Sequence, residues 1–395
     1  MALCFFCDMR ARSMRWVALV ALSVVAVSVL AERTEAGESD AVLLRQNGTP
    51  HIRREKVRIA LRQKKSTTEK RRLVKGASKT TDDHALAIVT RIWNSLSRLE
   101  PSPEKRYVLI MQGNNAMVPM LWNWLCNTKH MAGVHERTVL IMSDRQGFDA
   151  LQYNPYKVAV AKTHQMVDEM DEDFNFGTYG YWKLTQLRTK TFEDILASGI
   201  SFLNWEPDAL WARNPMEDAG LLEASRQADI AILSDEHVDG SLILGVGFML
   251  VRSNAGTVAL FQKLMDTLSQ NLRKLGPHNL HDNVGYPKTI SEQTILKELL
   301  LSVFAGATYA ALDRCTYTSG QWYTFNNIDL RRRCVTASGA PVVVNNNWIV
   351  GNAAKIKRAQ LWGHWFIDET GACNVSQVAV ALTEGLLWPA GASKT

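Results

Sequence analysis

The sequence predicts an α/β fold on a mostly parallel, Rossmann-like sheet, and three observations predict it. Short apolar runs rich in Val, Ile and Leu alternate with stretches of helical apolar spacing. Asn and Asp follow several of the runs, and ligands of open α/β sheets gather beyond strand ends. Of the 395 residues, 46% are hydrophobic, enough to fill a large core.

The chain opens on a different kind of segment. Trp16 to Ala31 is an uncharged apolar run, preceded by Arg10, Arg12 and Arg15 and followed by Glu32 and Glu35. That charge order leaves residues 1–15 in the cytosol and sends the rest across a membrane. The run, 16–31, fits a short signal-anchor, the preferred reading, or a signal peptide cleaved after Val29-Leu30-Ala31. A single-pass type II protein of the Golgi or endoplasmic reticulum is expected, secreted if the segment is cleaved. Residues 32–85 read as a basic, disordered stem. Residues 1–85 hold 17 Lys and Arg against 9 Asp and Glu, so the net charge of +6 resides there and 86–395 carry −2. A basic stem without interleaved aromatics does not make a nucleic-acid protein.

The lumenal domain is expected over 86–390. Ala85 to Leu99 has helical spacing and Tyr107 to Met111 reads as a strand. Gln112 to Asn115 reads as a turn, and Met117 to Cys126 as a helix. Thr138 to Met142 and Val158 to Ala161 are further strands. Tyr181 to Ser198 is a helix stopped by Gly199, and Ile200 to Leu203 is a short buried strand. Asp229 to Leu233 is a strand, Leu242 to Val251 an apolar run, 254–275 and 291–302 are helices, and Pro341 to Val344 is a late strand. Cys126, Cys315, Cys334 and Cys373 allow three pairings on the lumenal side. Asn47 and Asn374 head Asn-x-Ser/Thr glycosylation acceptors. The chain has no GxGxxG, no P-loop lysine motif and no zinc-type Cys/His spacing.

Chemistry is expected just past the Ile200 strand, at Glu206 and Asp208. Two hard carboxylates one residue apart are suited to hold Mn²⁺ or Mg²⁺ against a diphosphate. Asn114, Asn115 and Asp144 stand at the ends of the first two strands, where a nucleotide would rest, or serve ordinary turns. Arg188 and Lys190, on the helix before the central strand, face a phosphate or solvent. Gly247 lets a backbone approach closely, and Glu292-Gln293 offers polar contacts to a sugar. Trp205 and Trp211 are core residues or sugar platforms.

The run Glu206-Pro207-Asp208-Ala209-Leu210-Trp211-Ala212-Arg213-Asn214-Pro215 resembles the signature of the nucleotide-diphospho-sugar transferase family. That signature is Asp-x-Asp, two hydrophobics, Trp-x-Arg, Asp or Asn, and Pro. The similarity continues through Asp229 to Asp235, Gly247 to Ser253, Glu292-Gln293 and Asn345-Asn346-Asn347-Trp348, with Lys355 beyond. It implies a GT-A-like fold and transfer of a sugar from a nucleotide-sugar, of UDP type, to a glycan or glycoprotein acceptor. Retention at the anomeric carbon is implied as well. By the same resemblance Glu206, Asp208 and Asn345 hold the metal, Lys355 contacts phosphate, and Gln293 joins the two acids as a catalytic candidate. Four departures, Glu206 for Asp, Pro207 between the acids, Asn345 for His and Gly245 where relatives often carry a polar residue, leave an inactive glycan-binding or partner subunit as the alternative.

Overall fold

The computed structural model describes residues 84–383 apart from 237–239, 277, 283–284 and 325–326. All of them belong to one compact unit, 68–395. The expected anchor at 16–31, nearly all of the stem and Asn47 lie outside the described residues. Among the described residues no helix is long and apolar enough to cross a membrane.

Helix α1 (His84–Leu99) leads to β1 (Val108–Gly113), α2 (Val118–Thr128), β2 (Thr138–Met142), α3 (Arg145–Leu151), β3 (Ala159–Lys162) and α4 (Tyr179–Ala197). Then come β4 (Phe202–Trp205), β5 (Leu210–Trp211), α5 (Ala219–Gln227), β6 (Ile230–Glu236), β7 (Leu242–Val251) and α6 (Ala255–Leu275). The chain continues through α7 (Glu292–Leu301), β8 (Tyr309–Ala311), β9 (Tyr317–Thr318), α8 (Ile328–Ser338), β10 (Val343–Val344), α9 (Asn352–Leu361) and α10 (Val375–Thr383).

The main sheet has the order β3-β2-β1-β4-β7-β6-β8. Strands β1 to β4 run parallel, β7 is antiparallel to both β4 and β6, and β8 is parallel to β6. The sheet is mostly parallel, as the alternating pattern predicts. Side chains of β1 alternate between its faces. Val108 and Ile110 join the core containing Phe192 of α4 and Phe261 of α6, whereas Leu109 and Met111 join the core containing Leu121 and Trp124 of α2. Both faces are thus covered, which is why these strands read as continuous apolar runs.

Two expected boundaries move. Gln112 and Gly113 belong to β1 rather than to a turn, because β2 pairs with them through Ile141 and Met142. The central strand reaches Trp205, because β7 pairs Phe248 with it. Gly199 ends α4 with a φ of +79°, a conformation that favours glycine. The late strand β10 lies in a second sheet, β5-β10-β9, rather than the main one.

One irregularity shapes the site. Ile232 of β6 pairs with Met249, but the next residue, Leu233, pairs with Gly245. Val246, Gly247 and Phe248 therefore bulge from the β6 ladder. Asn204 of β4 donates its side-chain N–H to the Val246 carbonyl at 2.6 Å. That bond satisfies a backbone group the bulge would otherwise orphan. Among the described residues the cysteines pair as Cys126–Cys373 and Cys315–Cys334.

Candidate active site

The site begins where β4 ends. Trp205 and Trp211 flank the two acids, and both are buried. Trp205 stacks on Trp124 with ring centroids 3.7 Å apart, and Trp211 meets Trp124 edge-on at 5.1 Å. These two indoles are core, and they set the path of the turn carrying Glu206 and Asp208. Asn127 of α2 exchanges two hydrogen bonds with the Trp211 backbone, at 3.0 and 2.9 Å, and so holds the far end of that turn.

Each acid meets a cation from another element. Arg188 of α4 donates from Nη1 to Glu206 Oε1 at 3.4 Å and from Nη2 to Glu292 Oε2. Thr189 completes the Glu292 carboxylate with a 2.9 Å hydrogen bond to Oε1. The Glu292 side chain is 2% exposed, so this pairing is what permits its burial. Lys355, near the start of α9, places Nζ 2.7 Å from Asp208 Oδ2, and the Asp208 side chain is likewise 2% exposed.

The electrostatics follow from the burial. Desolvation alone would pull the Arg188 pKa down, but Glu292 and Glu206 more than offset it and the net shift is upward. Lys355 behaves in the same way: burial lowers its pKa, and Asp208 followed by Glu206 raise it further than burial lowers it. Both cations stay charged at physiological pH. Tyr181 is pushed up to about 12, first by burial and then by the Glu206 charge.

Gly247 explains itself at this point. A Cβ there would lie 2.3 Å from Asn345 Nδ2 and 2.4 Å from Glu206 Oε2. Glycine is needed because the bulge of β7 passes directly under these two side chains. Asn345 donates from Nδ2 to Glu206 Oε2 at 3.4 Å. The glycine, Glu206, Arg188 and Asn345 thus form one contiguous group, with Asp208 and Lys355 alongside.

Other expected residues are placed differently. Asp144 caps α3, accepting from Gly147 N and from Asn115 N, both at 2.8 Å. Burial raises its pKa, and those backbone bonds oppose the shift. Asn114 donates to the carbonyls of Met170 and Glu172, both at 2.7 Å. Both residues hydrogen-bond the backbone, the ordinary turn chemistry expected of Asn and Asp, while Asn114 Oδ1 is buried with no hydrogen bond among the described residues. Asn115 donates to Gln146 at 3.3 Å near the surface. Lys190 pairs with Asp194 at 2.6 Å and Glu193 at 3.5 Å on its own helix. It points along the surface of α4, away from Arg188, and is not part of the group. Gln293 is half-buried, one residue from Glu292.

Sequence reasoning missed Tyr181, Thr189 and Arg358. Thr189 is one residue from Arg188, and its hydroxyl on a helix gives no local sign of a partner 103 residues away. Arg358 donates to Asn346 Oδ1 at 2.6 Å and lies over the Tyr323 ring, 4.8 Å from its centroid. The only sequence sign of it is a cation one helical turn after Lys355.

The donor chemistry suits a hard divalent cation. Among the described residues no three His, Cys, Asp or Glu side chains group to hold a metal. Two carboxylates and an amide are nevertheless present, all oxygen donors. Asp208 Oδ1 and Asn345 Oδ1 are buried, and no hydrogen bond reaches either one among the described residues. Buried acceptor oxygens without donors are unusual, and a cation would satisfy them. These residues fit the ion that the family resemblance implies.

A family profile described as nucleotide-diphospho-sugar transferase matches residues 133–359, more than half of the chain. The chain belongs to the nucleotide-diphospho-sugar transferase family. Glu206, Asp208, Arg188, Asn345 and Lys355 all fall inside the matched region of this transferase-family chain. It is 23% identical to a beta-arabinofuranosyltransferase, RAY1, of Arabidopsis thaliana over 280 residues, which is 67% of this chain and 48% of that protein. It is 21% identical to UDP-D-xylose:L-fucose alpha-1,3-D-xylosyltransferase 1 of the same plant over 304 residues, 69% of this chain and 79% of that one. The chain spans about half the length of the first curated relatives it matches. Among solved structures, the glycosyltransferase GlyE of Streptococcus pneumoniae aligns with a TM-score of 0.40 at 13% identity, covering 73% of this chain and 66% of that one. The galactosyltransferase LgtC aligns with a TM-score of 0.38 at 13% identity, covering 60% and 86%.

Proposed function

We propose that the chain is a GT-A-type glycosyltransferase that moves a pentose or hexose from a UDP-sugar to a glycan or glycoprotein acceptor, with retention. The observation that carries this reading is the Glu206–Asp208 turn at the end of the central strand, ringed by Arg188, Asn345 and Lys355 within the family's matched region. The relatives named as arabinosyl- and xylosyltransferases support a pentose donor.

Glu206, Asp208 and Asn345 would hold Mn²⁺ or Mg²⁺, which supplies Lewis-acid neutralisation of the donor diphosphate when bound. Lys355 adds a fixed positive charge at the same place, able to exchange Asp208 for a phosphate oxygen. Arg188 orients Glu206 and Glu292 through its ion pairs with both. Gln293, beside Glu292, is the candidate for a polar contact to the sugar. The nucleotide is proposed to lie over the ends of β1 and β2 at Asn115. Both disulfides support an oxidising compartment, and we place residues 86–390 in the Golgi or endoplasmic-reticulum lumen, tethered by 16–31.

One observation favours the alternative, a non-catalytic glycan-binding or partner subunit: both acids already have cations from the chain itself. The deciding experiment offers the purified full chain a panel of UDP- and GDP-sugars, with Mn²⁺ and with EDTA, beside Asp208→Asn. Release of UDP that needs Mn²⁺ and falls at least about 100-fold in the variant is expected. The transferase reading fails if no donor turns over with any saccharide acceptor and UDP does not bind by calorimetry.

A further inference from the structure

Asn374 heads the run Asn374-Val375-Ser376, and no step of sugar transfer uses it. It stands between a disulfide and a helix. Cys373 is bonded to Cys126 of α2 and forms a β-bridge with Ile367. Asn374 N donates to the Phe366 carbonyl at 2.7 Å, and α10 begins at Val375. The backbone is held on both sides, yet Asn374, Val375 and Ser376 are all exposed.

The Asn374 amide has one end in use and one end free. Its Oδ1 accepts from Gln377 N at 3.0 Å and so caps α10. An amide nitrogen can give two hydrogen bonds, and Asn374 Nδ2 gives none among the described residues. A group joined to Nδ2 therefore replaces a hydrogen that faces water and leaves the cap in place. Asn-x-Ser with a middle residue other than Pro is the acceptor pattern for N-linked glycans. Such a bulky, solubilising group needs a surface position, and this one sits beside a cystine, the mark of an oxidising compartment.

We propose that Asn374 is an N-glycosylation site, its Nδ2 carrying an oligosaccharide delivered from a polyprenyl-diphosphate donor. The bond from Nδ2 to the anomeric carbon forms as the bond from that carbon to the donor diphosphate breaks. Nδ2 loses one proton, and the lipid diphosphate leaves with the electron pair. This rests on placing residues 86–390 in a lumen, and it does not depend on transferase activity.

The test translates the full chain with endoplasmic-reticulum microsomes. Asn47 heads the only other Asn-x-Ser/Thr of the sequence, so an Asn47→Gln background serves as the parent. Added protease reports whether the domain has crossed the membrane, and peptide N-glycosidase F reports whether a slower band carries an N-glycan. The parent is expected to give a protected band shifted by one glycan, which the glycosidase collapses. Asn374→Asp keeps the helix cap, since Asp caps as well as Asn, and is expected to abolish the shift. Ser376→Ala is expected to abolish it too, and Ser376→Thr to keep it. A protected chain without the shift, or a shift that survives Ser376→Ala, overturns the site and leaves the lumenal placement standing. A chain that stays open to protease and unshifted overturns both.

Discussion

Past β1 and β2 stand Asn114 and Asp144; past β4 stand Glu206 and Asp208. All four are polar residues at strand ends of one sheet, and the first pair serves the backbone while the second meets side-chain charge. Asp144 takes two N–H groups and Asn114 gives to two carbonyls. Glu206 and Asp208 take Arg188, Asn345 and Lys355 instead. The difference teaches that a strand end marks where chemistry is possible, and that what packs over it decides whether chemistry is present. A short helix begins immediately after β2 and needs a cap. After β4 the chain turns under a bulged strand, and three separate elements send charged or amide groups into the gap.

The contrast can be broken first at Arg188. Arg188→Met leaves Glu292 buried without its cation and Glu206 without one of its partners. The expected cost is about 3–5 kcal/mol, read by urea unfolding as a lower midpoint at unchanged slope. A loss below about 1 kcal/mol would mean that the acids are relieved in another way, and the charge-paired region would be no different from the capped one.

Asp144→Ala sharpens the other side. It removes a helix cap and the acceptor for Asn115 N, at about 1–2 kcal/mol of stability, with UDP affinity unchanged in calorimetry. A drop in UDP affinity would return Asp144 to the nucleotide site.

The smallest effect is expected from Lys190→Ala. Its pairs with Asp194 and Glu193 lie on the surface of one helix, so stability should stay within about 0.5 kcal/mol of the parent in the same unfolding assay. A larger shift, or any loss of donor turnover, would place Lys190 beside Arg188 in the site.

The helices and strands of this chain were legible because their signals are local. Val, Ile and Leu runs marked β1, β2, β4 and β6, and Gly199 marked the end of α4. The small second sheet was not legible in full, because β5, β9 and β10 have two residues each and only pairing makes them strands. The site was legible in its acids, its glycine and its lysine. Lys190 was left open between phosphate and solvent, and it pairs with Asp194 and Glu193 on its own helix, two positions from Arg188 and on a different face. Trp205 and Trp211 left core and platform open until Trp124 stacked on the first and met the second edge-on.

By itself the sequence determined the alternation of strands and helices, the family, and the two carboxylates placed after the central strand. These rest on periodicity and on neighbours a few residues apart, which residue order alone specifies. Only the tertiary structure decided which charges meet. Arg188 finds Glu292 across 104 residues and Asn345 finds Glu206 across 139. Such partners share no local spacing, and the burial that makes their pairing matter exists only once the sheet, the bulge of β7 and helix α9 have come together.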